Sequence, residues 1–319
     1  MQAGKKPVVV VGSINIDLVA NAERIPVEGE TVLGTGFQIH PGGKGANQAV
    51  AVARLGYPVS MIGRLGDDSF GHQLRGHLES AGVDVSAIAT SPGTSGVAVI
   101  VVGEKGENSI VITPGANALL TTADIDTNLE LIRSAGLVLT QLEIPIATVL
   151  HLAQICAREK IPLILDPAPA KKIPAELFKN VEWFTPNETE AAFFTGEAEA
   201  SDDVDNPSAL AKILMNKGAK GVVLKLGSRG VYVATDSGIA EMLHSFAVKA
   251  VDTTAAGDAF NGAFATGLMM NRTPVESARF AAAAAAISVT RAGAQPSMPA
   301  IAEVEQMLHG NSNNSRSSS

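Results

Sequence analysis

Short runs of β-branched and aliphatic residues recur along this chain with a helical pattern between one run and the next. That alternation restricts the fold more than any other feature. Residues 8–11, 59–62, 137–139, 163–165 and 222–224 read as buried strands. Between them, a helical pattern over 46–55 closes at Gly56 and Pro58, one over 69–81 closes at Gly82, and one over 146–159 starts after Pro145. Strands alternating with helices over most of a chain call for a mainly parallel sheet covered on both faces. The predicted class is therefore α/β, a doubly wound sheet flanked by helices. The alanine-rich run 280–289 is bracketed by Arg279 and Arg291, about half the length a bilayer crossing requires, and reads as a buried helix.

Two stretches break the rhythm, 16–39 and 96–112, where strand-like segments follow one another with turn residues and no helix. Residues 97–102 and 109–112 flank Glu104-Lys-Gly-Glu107 as a hairpin would. Such pieces either join into a small sheet above the main domain, a lid, or extend the main sheet as edge hairpins; the pattern serves both. The segment 310–319, Gly-Asn-Ser-Asn-Asn-Ser-Arg-Ser-Ser-Ser, has no apolar group to offset the entropy of ordering and reads as a disordered tail. One domain over 1–309, with a discontinuous lid, is the expected organisation.

Charge narrows the partners. With 24 Lys and Arg against 32 Asp and Glu, the net charge of −8 argues against a protein held to nucleic acid or to an anionic membrane by bulk charge. A small metabolite is the better ligand. Four valines before Gly12 make neither a targeting segment nor a membrane span. The single cysteine, Cys156, excludes an internal disulfide and a thiolate metal cluster, and fits a reducing cytoplasm. No G-x-G-x-x-G follows the opening strand and no P-loop occurs; Gly227-Ser-Arg-Gly230 is one residue short of a nucleophile elbow; the six histidines show no zinc-site spacing.

Several segments carry chemistry instead. After the first strand, period two puts Ser13, Asn15 and Asp17 on one face, where an amide and a carboxylate can hold adjacent hydroxyls or simply meet water. In Pro41-Gly-Gly-Lys-Gly-Ala-Asn47, glycines 42, 43 and 45 allow close backbone approach while Lys44 and Asn47 bring donors to a helix start; a plain glycine turn has the same look. Val251-Asp-Thr-Thr-Ala-Ala-Gly-Asp258 exposes the successive amides of Ala255, Ala256 and Gly257 at another helix start, an oxyanion cradle. Asp258 is then either a reacting carboxylate or a helix cap. Asn187 and Glu190 share a face at i, i+3, as would any Pro-then-acid helix start, and Lys225-Leu-Gly-Ser-Arg-Gly230 is a nucleotide-facing loop or a hairpin turn.

The two glycine-bearing segments, Gly42-Gly-Lys-Gly-Ala-Asn-Gln48 and Asp252-Thr-Thr-Ala-Ala-Gly-Asp258, resemble in order and separation the two signatures of the ribokinase-like family of ATP-dependent carbohydrate kinases. The resemblance runs from Val8 to about Leu308. Leu142-Glu143, Asp166-Pro-Ala-Pro169, Thr185-Pro-Asn-Glu-Thr-Glu190 and Gly293-Ala-Gln-Pro-Ser297 resemble the ribokinases within it. It implies a sheet domain with a β lid that makes a homodimer contact. It also implies transfer of the γ-phosphoryl group of ATP to the 5-hydroxyl of D-ribose. Related fructokinase, deoxyribokinase and adenosine kinase activities, or a silent sugar sensor, are the alternatives. By motif, Asn15, Asp17, Gly42, Gly43, Lys44, Asn47 and Glu143 would hold the sugar, and Asp258 would be the base beside the anion hole of Ala255, Ala256 and Gly257. Asn187, Lys225, Gly227, Ser228, Gly230 and Gly257 would meet the nucleotide, Asn187 and Glu190 serving magnesium. Asp252, Thr254, Ser288, Arg291, Gly293 and Ser297 would surround a potassium ion, Arg291 through its carbonyl. The chain departs from the pattern at Ala282, where these kinases often carry Asn near the adenine, and at Lys225, where they often carry Thr.

Overall fold

A computed structural model describes residues 4–196 and 206–314. The strands are β1 (Val8–Val11), β2 (Asn15–Ala22), β3 (Gly34–Gly42), β4 (Val59–Gly66), β5 (Ile88–Ser91), β6 (Gly96–Gly103), β7 (Asn108–Thr113), β8 (Leu137–Thr140), β9 (Leu163–Leu165), β10 (Trp183–Phe184), β11 (Gly221–Lys225), β12 (Val231–Thr235) and β13 (Ala240–Leu243). Nine of them form one sheet in the order β13-β12-β11-β10-β9-β8-β1-β4-β5. β1 runs parallel between β4 and β8, with Val8 opposite both Val59 and Leu137; only the β11–β12 and β12–β13 pairs, at one edge, are antiparallel.

β1 shows why the runs are unbroken in hydrophobicity. All four of its valines are fully buried. Val8 and Val10 join the core under helices Lys44–Arg54, Ala256–Met269 and Pro274–Ser288. Val9 and Val11 join the opposite core, packed by helix Ile146–Glu159. A strand with helices on both faces has no polar side to show. The alanine run lies in Pro274–Ser288, opened by a capping box between Thr273 and Glu276 and buried from Ala281 to Ala284.

The two arrhythmic stretches form a separate four-stranded sheet, β3-β2-β6-β7, and do not extend the main one. β2 pairs antiparallel with β3 and parallel with β6, placing Asn15 opposite Gly42 and Gly96 where this sheet leaves the main domain. Phe37, Ile39, Val99, Ile110, Val111 and Ile112 are exposed on it. At the C-terminus, helix Ile301–Asn314 continues past Gly310, where the sequence suggests that a tail begins, and 315–319 lie outside the described residues.

The first helix starts at Lys44, inside the glycine-rich segment, two residues before the apolar pattern predicts. Gly43 caps it at φ +87°, and a Cβ on Gly45 would lie 2.6 Å from the Ser13 nitrogen. Close packing on the end of β1 thus overrides the poor helix propensity of glycine. Gly45→Ala should therefore cost about 1–3 kcal/mol in urea unfolding, whereas Gly76→Ala, a helical site with nothing within 4 Å of the new methyl, should be neutral or stabilising. Equal midpoints for the two variants would contradict this packing account.

Candidate active site

In sheet order the chain leaves β1 toward β4 on one side, and β8 lies on the other, so a crevice opens at the carboxyl ends of β1 and β8. The segments following both strands meet there. Ser13 Oγ donates to Glu143 Oε2 at 2.5 Å, and the Lys44 N–H donates to the same oxygen at 3.1 Å. Asn15 Oδ1 accepts from Asn117 Nδ2 at 2.7 Å, while Asn117 also exchanges hydrogen bonds with both backbone groups of Ile14. Gly96 permits this crowding, since a Cβ there would fall 2.1 Å from Asn15 Oδ1. Gly42 lies against Asp17 in the same way, at 2.2 Å from Oδ2. Burial, then the neighbouring Glu143 and Asp258 charges, push Asp17 up to about 6. An amide and two carboxylates therefore converge on one space, as hydroxyl recognition requires.

Asp258 sits in the first turn of helix Ala256–Met269, yet it does not cap that helix. Its Oδ2 accepts from Asn47 Nδ2 at 2.9 Å and its Oδ1 from Gln48 Nε2 at 3.0 Å, both reaching across from helix Lys44–Arg54. Gln48 Oε1 is taken by Gln141 Nε2 at 2.5 Å, and Asn47 Oδ1 by Gln295 Nε2 at 3.1 Å, which fixes both amides with their NH2 groups toward the carboxylate. Asp258 is 4% exposed. Burial raises it to about 6; Lys44 pulls the other way and Asp166 adds to the rise. Burial alone would depress Lys44, but Asp258, Asp166, Glu143 and Glu190 outweigh it and hold the ammonium above the ordinary lysine range. The result is an ionisable carboxyl poised within reach of neutral pH, the condition for a general base.

Ala255 precedes this helix at φ +58°, ψ 15°, a left-handed conformation uncommon for a residue with a Cβ. The turn brings a run of backbone N–H groups to the edge of the crevice. That of Ala256 bends back to the Thr253 carbonyl at 3.2 Å, while those of Ala255 and Gly257 have no partner among the described residues. They border a cavity of about 760 Å³ that also contains Lys44, Asp166, Asn187, Glu190, Lys225, Gly227, Ser228 and Gly230. Lys225 Nζ pairs with Asp166 Oδ1 at 2.9 Å and lies 3.4 Å from where a Cβ on Gly257 would be. The loop carrying Gly227 and Ser228 is a hairpin turn between β11 and β12, and it lines the cavity. The lining also includes the apolar Phe246, Val248, Ala282, Ala285 and Val289.

Asn187 and Glu190 form a reciprocal capping box, 2.8 Å in each direction, which satisfies the bland reading of that helix start. Glu190 also lines the cavity; burial, opposed by Lys225, raises its pKa. Among the described residues no cluster of three or more His, Cys, Asp or Glu has metal-holding geometry. One carboxylate with phosphate oxygens and water is nevertheless a donor set that suits magnesium. Beside the helix start, Asp252 accepts from the Thr254 N–H and the Gly293 N–H, each at 2.8 Å, tying the 252–254 turn to the 288–297 segment. The Arg291 guanidinium is turned away onto Glu303. Asp252 and Gly293 are thus joined directly, and Thr254, Ser288, Arg291 and Ser297 lie along the two segments so tied; their hydroxyl, carbonyl and carboxylate oxygens are hard donors of the kind that suit a monovalent cation.

Gln48, Asp166, Asn117, Gln141 and Gln295 belong to the site without a role suggested by sequence. Gln48 and Asp166 had a detectable signal, one adjoining Asn47 in a motif and the other closing β9 at the carboxyl edge of the sheet. The raised Asp17 yields a prediction. A carboxyl with a folded-state value near 6 and an unfolded value near 3.8 stabilises the fold fully below pH 3.8, and that contribution is lost as pH rises through 6. Asp17→Asn should therefore raise stability by on the order of 1–3 kcal/mol at pH 7.5, with the gain vanishing below about pH 4 in thermal unfolding. A variant less stable than wild type at pH 7.5 would contradict it.

Comparison with known proteins agrees with this geometry. Residues 5–301 match the model of the pfkB family carbohydrate kinases. The chain is 41% identical over 305 residues to the ribokinase of Haemophilus influenzae, covering 95% of this chain and 99% of that one. It is 43% identical over 302 residues to the ribokinase of Bacillus subtilis, covering 94% and 98%. The structure of Arabidopsis thaliana ribokinase complexed with ribose and ATP superposes with a TM-score of 0.88 at 37% identity, covering 95% of this chain and 99% of that one. With its sheet, its crevice and both its motifs accounted for, the chain belongs to the pfkB family of carbohydrate kinases.

Proposed function

We propose that the protein phosphorylates D-ribose on its 5-hydroxyl with ATP as donor. The observation that carries this reading is the buried Asp258, raised toward neutrality, standing between a hydroxyl-binding pocket and an anion-binding helix start. Asn15, Asp17, Gly42, Gly43, Lys44, Asn47 and Glu143 hold the sugar, with the glycines letting the backbone come close. Asp258 takes the proton of the 5-hydroxyl as that oxygen forms its bond to the γ-phosphorus and the bond to the β-phosphate oxygen breaks, giving ribose 5-phosphate and ADP. The amides of Ala255 and Gly257 stabilise charge on the transferring group, joined by that of Ala256 if its turn bond yields. Lys225 meets the phosphates, and Gly227, Ser228 and Gly230 border the rest of the nucleotide. Asn187 and Glu190 serve magnesium, which when bound neutralises phosphate charge. Asp252, Thr254, Ser288, Arg291, Gly293 and Ser297 hold potassium, which supports the turn that presents the anion hole.

The smaller sheet acts as a lid over the sugar, Asn15 and Asp17 lying at its base. A second copy covering its exposed Phe37, Val111 and neighbouring residues would make a homodimer. Among the described residues no helix is long and apolar enough to cross a membrane, and a lone buried cysteine suits a cytoplasmic setting.

Ribose, deoxyribose, fructose and adenosine compared in an ATP-consumption assay should give ribose the highest kcat/KM. Faster turnover of fructose or adenosine would overturn the substrate assignment. Asp258→Asn should lower kcat at least ~10²-fold with the fold retained by circular dichroism; near-normal turnover would remove Asp258 from the base role.

A further inference from the structure

Asp166 is a carboxylate without an assignment. It follows β9 at the carboxyl edge of the sheet, its backbone N–H donating to the Thr140 carbonyl at 2.9 Å, and its side chain is 2% exposed. Each of its oxygens reaches a different half of the site. Oδ1 holds Lys225 Nζ at 2.9 Å, and Oδ2 accepts from Gln48 Nε2 at 2.9 Å. That same Gln48 nitrogen donates its other hydrogen to Asp258 Oδ1 at 3.0 Å. One amide therefore bridges two buried carboxylates. Its orientation admits no alternative, since flipping it would point an oxygen at both acceptors and strand the Gln141 donor.

A buried ion pair gains little for folding, because desolvating both charges offsets most of their attraction, and a well-packed apolar pair would serve the core as well. The location of this one gives it a different use. Lys225 stands 3.4 Å from the position of a Cβ on Gly257, directly beside the anion-binding turn, and a flexible lysine stem needs a tether to stay there. We propose that Asp166 is a positioning residue joining the two halves of the site: it holds Lys225 beside the phosphate-binding turn and, through Gln48, sets the carboxylate of Asp258 for proton transfer. The inference rests on Asp258 being the base. It adds that the negative charge of Asp166 keeps that base from becoming too acidic. The other charged groups facing Asp258 are Lys44 from its helix and Asp17 from the lid strand, with Lys225 and Glu190 at the next remove.

Three variants test the tether: Asp166→Asn, Lys225→Met and the two combined. Asp166→Asn should lower kcat about 10- to 100-fold. It should also weaken binding of a non-hydrolysable ATP analogue in calorimetry and leave ribose KM nearly unchanged. The acid limb of its kcat/KM profile should move down by roughly one pH unit, because a like charge beside the base is gone. The double variant should be no worse in analogue affinity than the poorer single, since each residue acts through the other. It also leaves no unpaired buried charge, so it supplies the test if Asp166→Asn fails to fold; its acid limb should then lie below that of Lys225→Met. An unmoved acid limb, or losses in affinity that add across the cycle, would overturn the tether. If Asp258→Asn still abolishes turnover in that case, only the tether falls; if Asp258→Asn is active, the base assignment falls first.

Discussion

The burial of one carboxylate governs the rest of this structure. Asp258 lies at the start of a helix, out of water, with Asp17 and Asp166 near it and Lys44 as the charge that keeps it ionisable. Burial pushes such a group toward its neutral form; the ammonium of Lys44, then the amides of Asn47 and Gln48, oppose that push and leave it at about 6. Every other polar residue of the crevice can be understood as serving that balance or the groups that react beside it. The arrangement works against the fold, because concentrated carboxylates repel and are poorly hydrated, and the two large apolar cores on either face of the sheet offset that cost.

Close backbone approach makes the balance geometrically attainable. Gly12, Gly43, Gly45 and Gly96 each stand where a Cβ would strike a neighbour at under 3 Å, so the ends of β1, β2 and β6 and the start of the first helix share a space that side-chain-bearing residues could not. Ala255 adds the one conformational oddity at the centre, a left-handed non-glycine residue that turns the chain into helix Ala256–Met269 at the edge of the cavity. The sheet supplies rigid strand ends; the glycines let them converge; the helix start supplies the field.

Much of this was legible in sequence. The strands are written as aliphatic runs because they are covered on both faces, and the turn before helix Ala256–Met269 is written as the small residues Ala255, Ala256 and Gly257 that border the cavity. Whether the hairpins formed a lid or an edge was not legible, since the hydrogen-bonding partner of a strand leaves no mark in its own period. Nor could Asp258 be told from a helix cap. That distinction rests on Asn47, 211 positions away, and the role of Asp166 on Gln48, 118 positions away. Asn187 and Glu190 show the converse: the i, i+3 pattern has a purely local explanation, the capping box, and whatever else it does must be added to that. Polar networks assembled from distant segments have no periodicity to betray them, whereas cores do.

The most direct measurement is a titration of the Asp258 carboxyl by carbon-13 NMR in the ligand-free protein, assigned by comparison with Asp258→Asn. The account predicts a midpoint near pH 6, displaced upward from the ordinary aspartate value of 3.8. A midpoint at or below 3.8 would mean that burial does not tune this residue, and the description of the site as a poised base would be wrong.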